Sequence, residues 1–231
     1  MAGVQLSLKT VSQGDTKMTR RVILASAFAI LTALGSTSIA QASGRNSVDI
    51  QQNGRANELA VMQEGGDNEV RLNQRGRRQY IRSQQAGRRN FNEVRQRGRR
   101  NAAVTEQSGR RNRNEIRQRG RRNEAVSGQY GRHNDTTINQ DGRYNDAVSV
   151  QDGNYNDSVI GQLGDNLNAT VVQDGNGNLI GVAQIGSGHD AIATQDGNNN
   201  ALGIIQIGEG QETVVHQSGD GNVTLIIQGG F

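Results

Sequence analysis

The chain has 231 residues, of which only 32% are hydrophobic and 3% are aromatic, so a single conventional globular core is not expected. The sequence contains no proline and no cysteine, which excludes a disulfide framework and a cysteine-ligated zinc site. The net charge of +4 hides two blocks, because nineteen arginines lie between Arg71 and Arg132 and twelve acidic residues follow them with a single arginine.

The first 42 residues differ from the rest of the chain. Residues 1–17 are interpreted as an upstream extension of the reading frame, with Met18 as the true start. Two arginines then precede the apolar stretch Val22 to Leu34, which is too short to span a bilayer. Small residues follow and end in an A-x-A pattern at Ala42. Residues 18–42 are therefore predicted to be a secretory signal peptide cleaved before Ser43. A buried helix or a membrane anchor is the alternative.

Residues 43–231 carry an eleven-residue repeat, which is clearest from Gln140 to Asn156. Each unit contains Gln-x-Gly, and in twelve of sixteen places an Asn follows the Gln by five residues. The seventeen Gln residues, which have no insertion or deletion between them, are Gln52, Gln63, Gln74, Gln85, Gln96, Gln107, Gln118, Gln129, Gln140, Gln151, Gln162, Gln173, Gln184, Gln195, Gln206, Gln217 and Gln228. A period this strict indicates a repeat architecture.

The residues between the turns, about six per unit, alternate in character as a β-strand requires. The residue two before each Gln is never charged, whereas the intervening positions often are. The Gln face is therefore predicted to be inner, and the other face to be in contact with water. The charged intervening residues include Asp49, Arg71, Arg82, Glu93, Arg95, Glu115, Arg117, Glu124 and Asp146.

A second period doubles the first. Two residues before the Gln, large aliphatic residues such as Ile138 alternate with mostly smaller ones such as Ser149, and the smaller strands also carry alanines such as Ala147. The structural unit is then a 22-residue coil of two unequal strands. We predict an all-β, two-sheet β-solenoid with cross-β stacking, in which roughly eight and a half coils spaced by about 4.8 Å span about 40 Å.

Stacked coils place like residues above like residues. The Gln and Asn side chains are therefore predicted to form internal ladders of hydrogen-bonded amides, and ordinary turn or surface residues are the alternative. The Gly residues are predicted to supply positive φ at the turns. Besides the seventeen Gln, the clearest ladder and turn positions are Asn57, Asn101, Asn123, Asn145 and Asn156, and Gly98, Gly120, Gly142, Gly153 and Gly175.

No pattern of catalytic or metal-binding residues is present in the repeat. His133 is predicted to lie in a turn, His189 takes an Asn position and His216 faces outward, so their spacing builds neither a triad nor a metal site. The Asp between Gln and Gly, at Asp141, Asp152, Asp174 and Asp196, is interpreted as a turn residue and charged gatekeeper, since the nonapeptide of calcium-binding β-rolls is missing. The protein is predicted not to be an enzyme and to need no cofactor.

The arginine-rich units are predicted to place their positive charges at the coil corners. These residues are Arg97, Arg99, Arg100, Arg119, Arg121 and Arg122. They fit either a solvated surface that opposes lateral sticking or a belt that binds an anionic surface or polymer. No phosphate-binding loop or stacking-aromatic pattern accompanies them, so specific recognition of nucleic acid is not expected.

The repeat also resembles a known family. Gln140-Asp141-Gly142, Asn145, Ala147 and Gln151 match the curlin pattern Gln-x-Gly-x-x-Asn-x-Ala-x-x-x-Gln, and the units that begin at Gln96 and Gln118 match it in the same way. The sequence therefore resembles the curlins of bacterial curli fibres over about Asn46 to Gln228. Between Ser43 and Asn46 there is almost no room for the Gly-rich targeting segment that is usual in the family.

The resemblance implies a secreted subunit of extracellular amyloid fibres that serve cell adhesion and the biofilm matrix. The implied partners are further copies of the chain, other curlin-type subunits and a curli-type export machinery. The family has major and nucleator subunits, and the charged repeats look somewhat more like the nucleator type. The competing hypothesis is a monomeric secreted solenoid that binds an anionic surface or polymer through its arginine belt.

Overall fold

The computed structural model describes residues 38–42 and 45–230. The predicted extension, the apolar stretch and Ser43 lie outside these residues. The described part of the chain forms eighteen strands. They are β1 Ser38–Ala42, β2 Ser47–Arg55, β3 Glu58–Gly66, β4 Glu69–Arg77, β5 Tyr80–Arg88, β6 Phe91–Arg99, β7 Ala102–Arg110, β8 Arg113–Arg121, β9 Glu124–Arg132, β10 Asp135–Arg143, β11 Asp146–Asn154, β12 Asp157–Asp165, β13 Asn168–Asn176, β14 Leu179–Ser187, β15 Asp190–Asn198, β16 Ala201–Glu209, β17 Glu212–Ser218 and β18 Val223–Gly230.

The strands form two parallel sheets of nine strands each. One contains β1, β3 and the other odd-numbered strands, and the second contains the even-numbered strands; we call them the odd sheet and the even sheet. Every strand from β3 to β16 pairs with the strands two before and two after it, so Gln140 lies between Gln118 and Gln162. The predicted two-sheet β-solenoid with 22-residue coils is confirmed.

The core lies between the inner faces of the two sheets. The bulky residues of the even sheet, such as Ile116 and Ile138, are fully buried in one cluster with the alanines of the odd sheet, such as Ala125 and Ala147. A large side chain on one sheet and a small one on the other fill the thin space between them without overpacking. This is the complementarity that the 22-residue period predicts.

The middle coils also bury polar side chains in this core. Asn92 Nδ2 donates to Ser83 Oγ and to Thr105 Oγ1, at 2.7 Å each, and Asn114 Nδ2 donates to Asn92 Oδ1 at 2.7 Å. The Ser149 and Ser158 hydroxyls, 3.0 Å apart, continue this polar region. Towards both ends of the solenoid most of the equivalent inner positions are apolar, although β18 carries Thr224 there; the apolar residues are Val48, Val61, Val70, Val171, Ile180, Ala193 and Leu202.

The strands are longer than the sequence predicts. Most have nine residues rather than about six, because Gln-x-Gly lies inside the strand and not in the turn. Gly142 keeps its pairing with Gly120 and Gly164 even though its φ is 137°. The corner itself comes at the next residues, where Tyr144 has a φ of 60°. Asp141 and its equivalents therefore lie on the outer faces of strands, and their assignment to turns is wrong.

Candidate functional site: the glutamine ladders and the open ends

The Gln side chains form one continuous ladder in each sheet. Each Nε2 donates to Oε1 of the Gln one coil later, over donor–acceptor distances of 2.7–3.2 Å. The even-sheet ladder runs from Gln52 to Gln228 and the odd-sheet ladder from Gln63 to Gln217. All donors point towards the C-terminal end, so the ladders have a direction.

In the interior coils, the second hydrogen of most Gln amides also has a partner. Gln118 Nε2, for example, donates to Ala102 O at 2.9 Å as well as to Gln140 Oε1 at 2.8 Å. Its own Oε1 accepts from Gln96 at 2.7 Å. The ladder therefore satisfies both hydrogens and the oxygen of a buried amide, which removes most of the cost of burying it.

The Asn side chains five residues after each ladder Gln bond to the backbone rather than to one another, unlike the predicted amide ladder. Asn123 Oδ1 accepts from the backbone N–H of Asn145 at 3.2 Å. Asn123 Nδ2 donates to Arg119 O at 2.9 Å and to Gly142 O at 3.2 Å. Each Asn thus ties its own corner to the next coil and satisfies peptide groups that the turn would otherwise leave unpaired.

Other residues occupy the Asn position in four units. His189 is buried there; its Nε2 lies 3.1 Å from Ile185 O, and its Nδ1 accepts from the backbone N–H of Gln211 at 3.2 Å. Gln79 Nε2 donates to Arg75 O at 3.2 Å. These residues reproduce part of the Asn bonding, whereas the apolar side chain of Leu167 at the equivalent corner cannot.

In every coil but the last, the Gly two residues after the ladder Gln is fixed by a close approach between coils. A Cβ at Gly142 would lie 1.8 Å from Gly164 O, and one at Gly120 would lie 1.9 Å from Gly142 O. Both residues also have φ values that other residues rarely adopt, 137° and 117°. Gly98, Gly153 and Gly175 occupy the same columns.

The ladders end in groups without their usual partner. Gln63 Oε1 is buried and accepts no hydrogen bond in the part of the chain that the structure describes. At the opposite end Gln228 Nε2 donates to Glu212 O at 3.3 Å and has no further Gln to reach within 45–230. Ile50 and Ile226, the inner residues of β2 and β18, are half-buried, whereas Ile138 in the middle is fully buried.

The structure separates the six arginines that the sequence places together at corners. Arg99 and Arg121 end strands, and Arg100 and Arg122 occupy the corner with φ near 60°. The remaining two lie within strands on the outer face of the even sheet, so their corner assignment is wrong; they are Arg97 and Arg119.

The corner arginines repel one another. Arg100 lies near Arg78 and Arg122 in the stack, and Arg122 above all lowers the pKa of the Arg100 guanidinium. The Arg122 guanidinium is held 5.1 Å from the centre of the Tyr144 ring. The corner is thus a column of like charges with an aromatic residue at its C-terminal end.

The outer face is not uniformly wet, contrary to the sequence prediction. Glu93 and Glu115 are only 8% exposed, because arginines cover them. Arg95 lies 2.6 Å from Glu93 and 3.6 Å from Glu115, and Arg117 pairs with Glu115. In the C-terminal half, the outer face of the even sheet instead exposes large apolar side chains, which are Val159, Leu163, Leu179, Ile185, Ile207, Val223, Leu225 and Ile227.

Acidic side chains stack on the outer edge of the odd sheet. Asp146 pairs in register with Glu124, and burial, followed by the neighbouring Glu124 carboxylate, raises the pKa of Asp146 to about 6. Burial and the flanking Asp152 and Asp196 likewise raise the pKa of Asp174. In both cases partial burial of the carboxyl is the larger cause of the raised pKa, and the carboxylates stacked beside it add to the shift.

The three histidines do not converge. His133 lies at a corner and stacks on Tyr155 with ring centres 4.9 Å apart, and His216 is on the outer face. Among the described residues there is no cluster of His, Cys, Asp and Glu that could hold a metal ion. The same residues include no helix long and apolar enough to cross a membrane.

Comparison with known proteins identifies the repeat. The family described as "Curlin associated repeat" matches residues 45–80, 109–142, 134–164 and 164–197, which together cover more than half of the chain. A comparison with curated proteins finds no match. The repeat and the solenoid point to a curli-type structural subunit rather than to an enzyme. The chain belongs to the family of proteins built from curlin-associated repeats.

Proposed function

We propose that this protein is a secreted structural subunit that assembles into extracellular, curli-like amyloid fibres for cell adhesion and biofilm matrix. The observation that carries the proposal is the pair of ladders with open ends. A second molecule placed at the β2–β3 end can supply a Gln amide to the unpartnered Gln63 Oε1. Once the edge of β3 is free of β1, the same contact continues the backbone pairing of both sheets and buries the half-exposed inner residues Ile50 and Ile226.

Processing of the N-terminus fits this assembly. Strand β1, Ser38–Ala42, pairs with β3 and lies on the edge of the odd sheet. Cleavage at the proposed site between Ala42 and Ser43 would remove β1 and leave the edge of β3 open to another molecule. Other curlin-type subunits and a curli-type export machinery are the proposed partners.

Fibre formation by the purified protein tests the proposal. After incubation we expect thioflavin-positive fibres whose diffraction shows spacings of about 4.8 Å along the fibre and about 10 Å between sheets. A protein that stays a folded monomer at high concentration contradicts the assembly function.

A second function, binding of an anionic polymer or surface by a monomer, is favoured by the corner arginines. The mutual repulsion of Arg78, Arg100 and Arg122 is relieved when a polyanion neutralises them. This candidate predicts polyanion binding that weakens steeply with salt and that is lost when these three residues become Gln. If the protein assembles but binds no polyanion, only the first proposed function remains.

A further inference from the structure

The outer face of the even sheet changes chemistry along the solenoid axis. In the column that follows the ladder Gln by one residue, Arg97 and Arg119 are succeeded by Asp141, Leu163 and Ile185 in adjacent strands. Leu163 is 55% exposed and Ile185 is 45% exposed. One straight row of side chains therefore passes from cationic to apolar.

A groove follows this row. Its volume is about 710 Å³, within the range of small-molecule sites, and it lies between the row and the parallel row that precedes the ladder Gln. Arg95 and Arg117 form the second wall at the basic end, and Gly161 and Ala183 form it at the apolar end. From the coil of Gln74 to that of Gln184 the groove is roughly 24 Å long, since adjacent coils are about 4.8 Å apart.

The apolar end of the groove is open because the residues along its second wall, Gly161 and Ala183, have little or no side chain. A Cβ added at Gly161 would meet only Val182 O, at 4.0 Å, so space remains beside Leu163. Neighbouring outer rows are separated by two residues of strand, or about 7 Å. That spacing suits one extended hydrocarbon chain lying parallel to the solenoid axis.

The basic end has uncompensated charge. Arg95 and Arg117 are paired with Glu93 and Glu115, and Arg119 Nη1 lies 3.6 Å from Asp141 Oδ2. Within residues 45–230, no ion pair engages the other two arginines of the groove, Arg75 and Arg97. They remain available for an anion, and the Asp141 carboxylate disfavours an anion nearer the apolar end.

A second copy of the chain suits this whole face poorly. Face-to-face packing in parallel would oppose arginine to arginine, and antiparallel packing would bury Arg97 and Arg119 against Leu163 and Ile185 without a counter-charge. A ligand with an anionic head and a single apolar tail matches both ends at once.

We propose that the groove binds a long-chain fatty carboxylate. The carboxylate accepts hydrogen bonds from Arg75 and Arg97, and the acyl chain lies along Gly161, Leu163 and Ile185. This binding activity is additional to fibre assembly and does not depend on it, because the groove lies along one outer face and not at the ends.

Calorimetric titration of the purified protein with palmitate below its critical micelle concentration tests the proposal. Arg97→Glu is expected to weaken binding about tenfold or more, because it removes a charge-assisted contact and adds repulsion. Arg110→Glu makes the same charge change on an exposed residue outside the groove and should leave the affinity within about twofold. Equal effects of the two variants overturn the proposal.

A second pair of variants tests the tail. Gly161→Leu fills the groove where the backbone accepts a side chain, and it should weaken palmitate binding about tenfold. Thr194→Leu, at the equivalent outer position of the odd sheet, should not. If acetate binds as tightly as palmitate, the groove is an anion site without a role for the acyl chain. If anionic phospholipid vesicles bind and palmitate does not, the groove is a membrane-facing surface. Either result overturns the proposal. Thioflavin assays of the same variants report assembly separately.

Discussion

At the scale of the residue, each interior ladder Gln has a buried side-chain amide that forms hydrogen bonds with the Gln residues of the adjacent coils. Gln118→Glu removes the hydrogen that reaches Gln140 Oε1 and places a carboxylate between two amides. We expect the free energy of unfolding at pH 7 to fall by about 3 kcal/mol or more, because a buried charge is left without a counter-charge. Chemical denaturation measures this loss.

The pH dependence of Gln118→Glu is specific. Burial raises the pKa of a carboxyl above its unfolded value, so the loss is present at neutral pH and shrinks as the pH falls and the carboxyl becomes protonated. Gln84→Glu makes the same chemical change on the outer face of β5 and should have little effect at either pH. If the loss in free energy of unfolding caused by Gln118→Glu stays constant from pH 7 to about pH 4, the Gln118 side chain is not held in a buried, hydrogen-bonded ladder.

The stacked glycines make an equally local prediction. Gly142→Ala introduces a Cβ 1.8 Å from Gly164 O at a φ of 137°, so the coil spacing must distort. The free energy of unfolding should fall by about 2 kcal/mol or more. Gly181→Ala is the matched control, since no atom lies within 4 Å of its added Cβ, and denaturation of both variants should show a loss only for Gly142→Ala.

At the scale of the strand, the columns of like residues explain both what the sequence predicts and what it hides. The register of Gln140 follows directly from the period, because stacking places equal residues together. The ends of the strands do not follow from the period. A Gly in a sequence normally marks a turn, but Gly142 has a positive φ and still stays paired within its strand. The sequence therefore places Asp141 at a turn and Arg97 at a corner, whereas both lie within strands.

The polar part of the core escapes sequence analysis for a different reason. Asn92 and Asn114 lie four residues before a ladder Gln on the bulky strands, whereas the aliphatic period appears two residues before it. Their partners Ser83 and Thr105 belong to the opposite sheet, and only the fold brings the two sets within 2.7 Å. Glu93 and Glu115 are likewise covered by arginines, partly from neighbouring coils, which a face assignment along a single strand does not reveal.

Partial burial of Asp146, together with the Glu124 carboxylate stacked beside it, makes the stability of strand β11 depend on pH. The pKa of Asp146 is raised to about 6, so the folded chain holds this proton more tightly than the unfolded one. The contribution of Asp146 to stability is then greatest near pH 4 and is lost as the pH rises through 6. Asp146→Asn should raise the denaturation midpoint at pH 7 and flatten its change between pH 4 and 7. A lower midpoint at pH 7 would contradict the repulsion assigned to Glu124.

At the scale of the whole molecule, the middle and the ends of the solenoid differ in how completely their inner residues are buried. The middle coils are complete in the single chain, as the full burial of Ile138 shows. In the proposed fibre, another molecule stacks on each end coil and completes it. Ile138→Asp should therefore unfold the monomer itself, by the cost of a buried unpaired charge, and says little about assembly.

Ile226→Asp isolates assembly from folding. Ile226 is half-buried on the inner face of β18, where water still reaches the new carboxylate, so the monomer should keep most of its denaturation midpoint. Stacking of a second molecule would bury that carboxylate without a partner, and fibre elongation followed by thioflavin fluorescence should stop. Ile227→Asp, the adjacent substitution on the outer face where Ile227 is 65% exposed, should slow elongation little. Only the inner face of β18 would be buried when a second molecule stacks on this end. Equal elongation rates of the two variants would therefore show that molecules do not join at the β18 end.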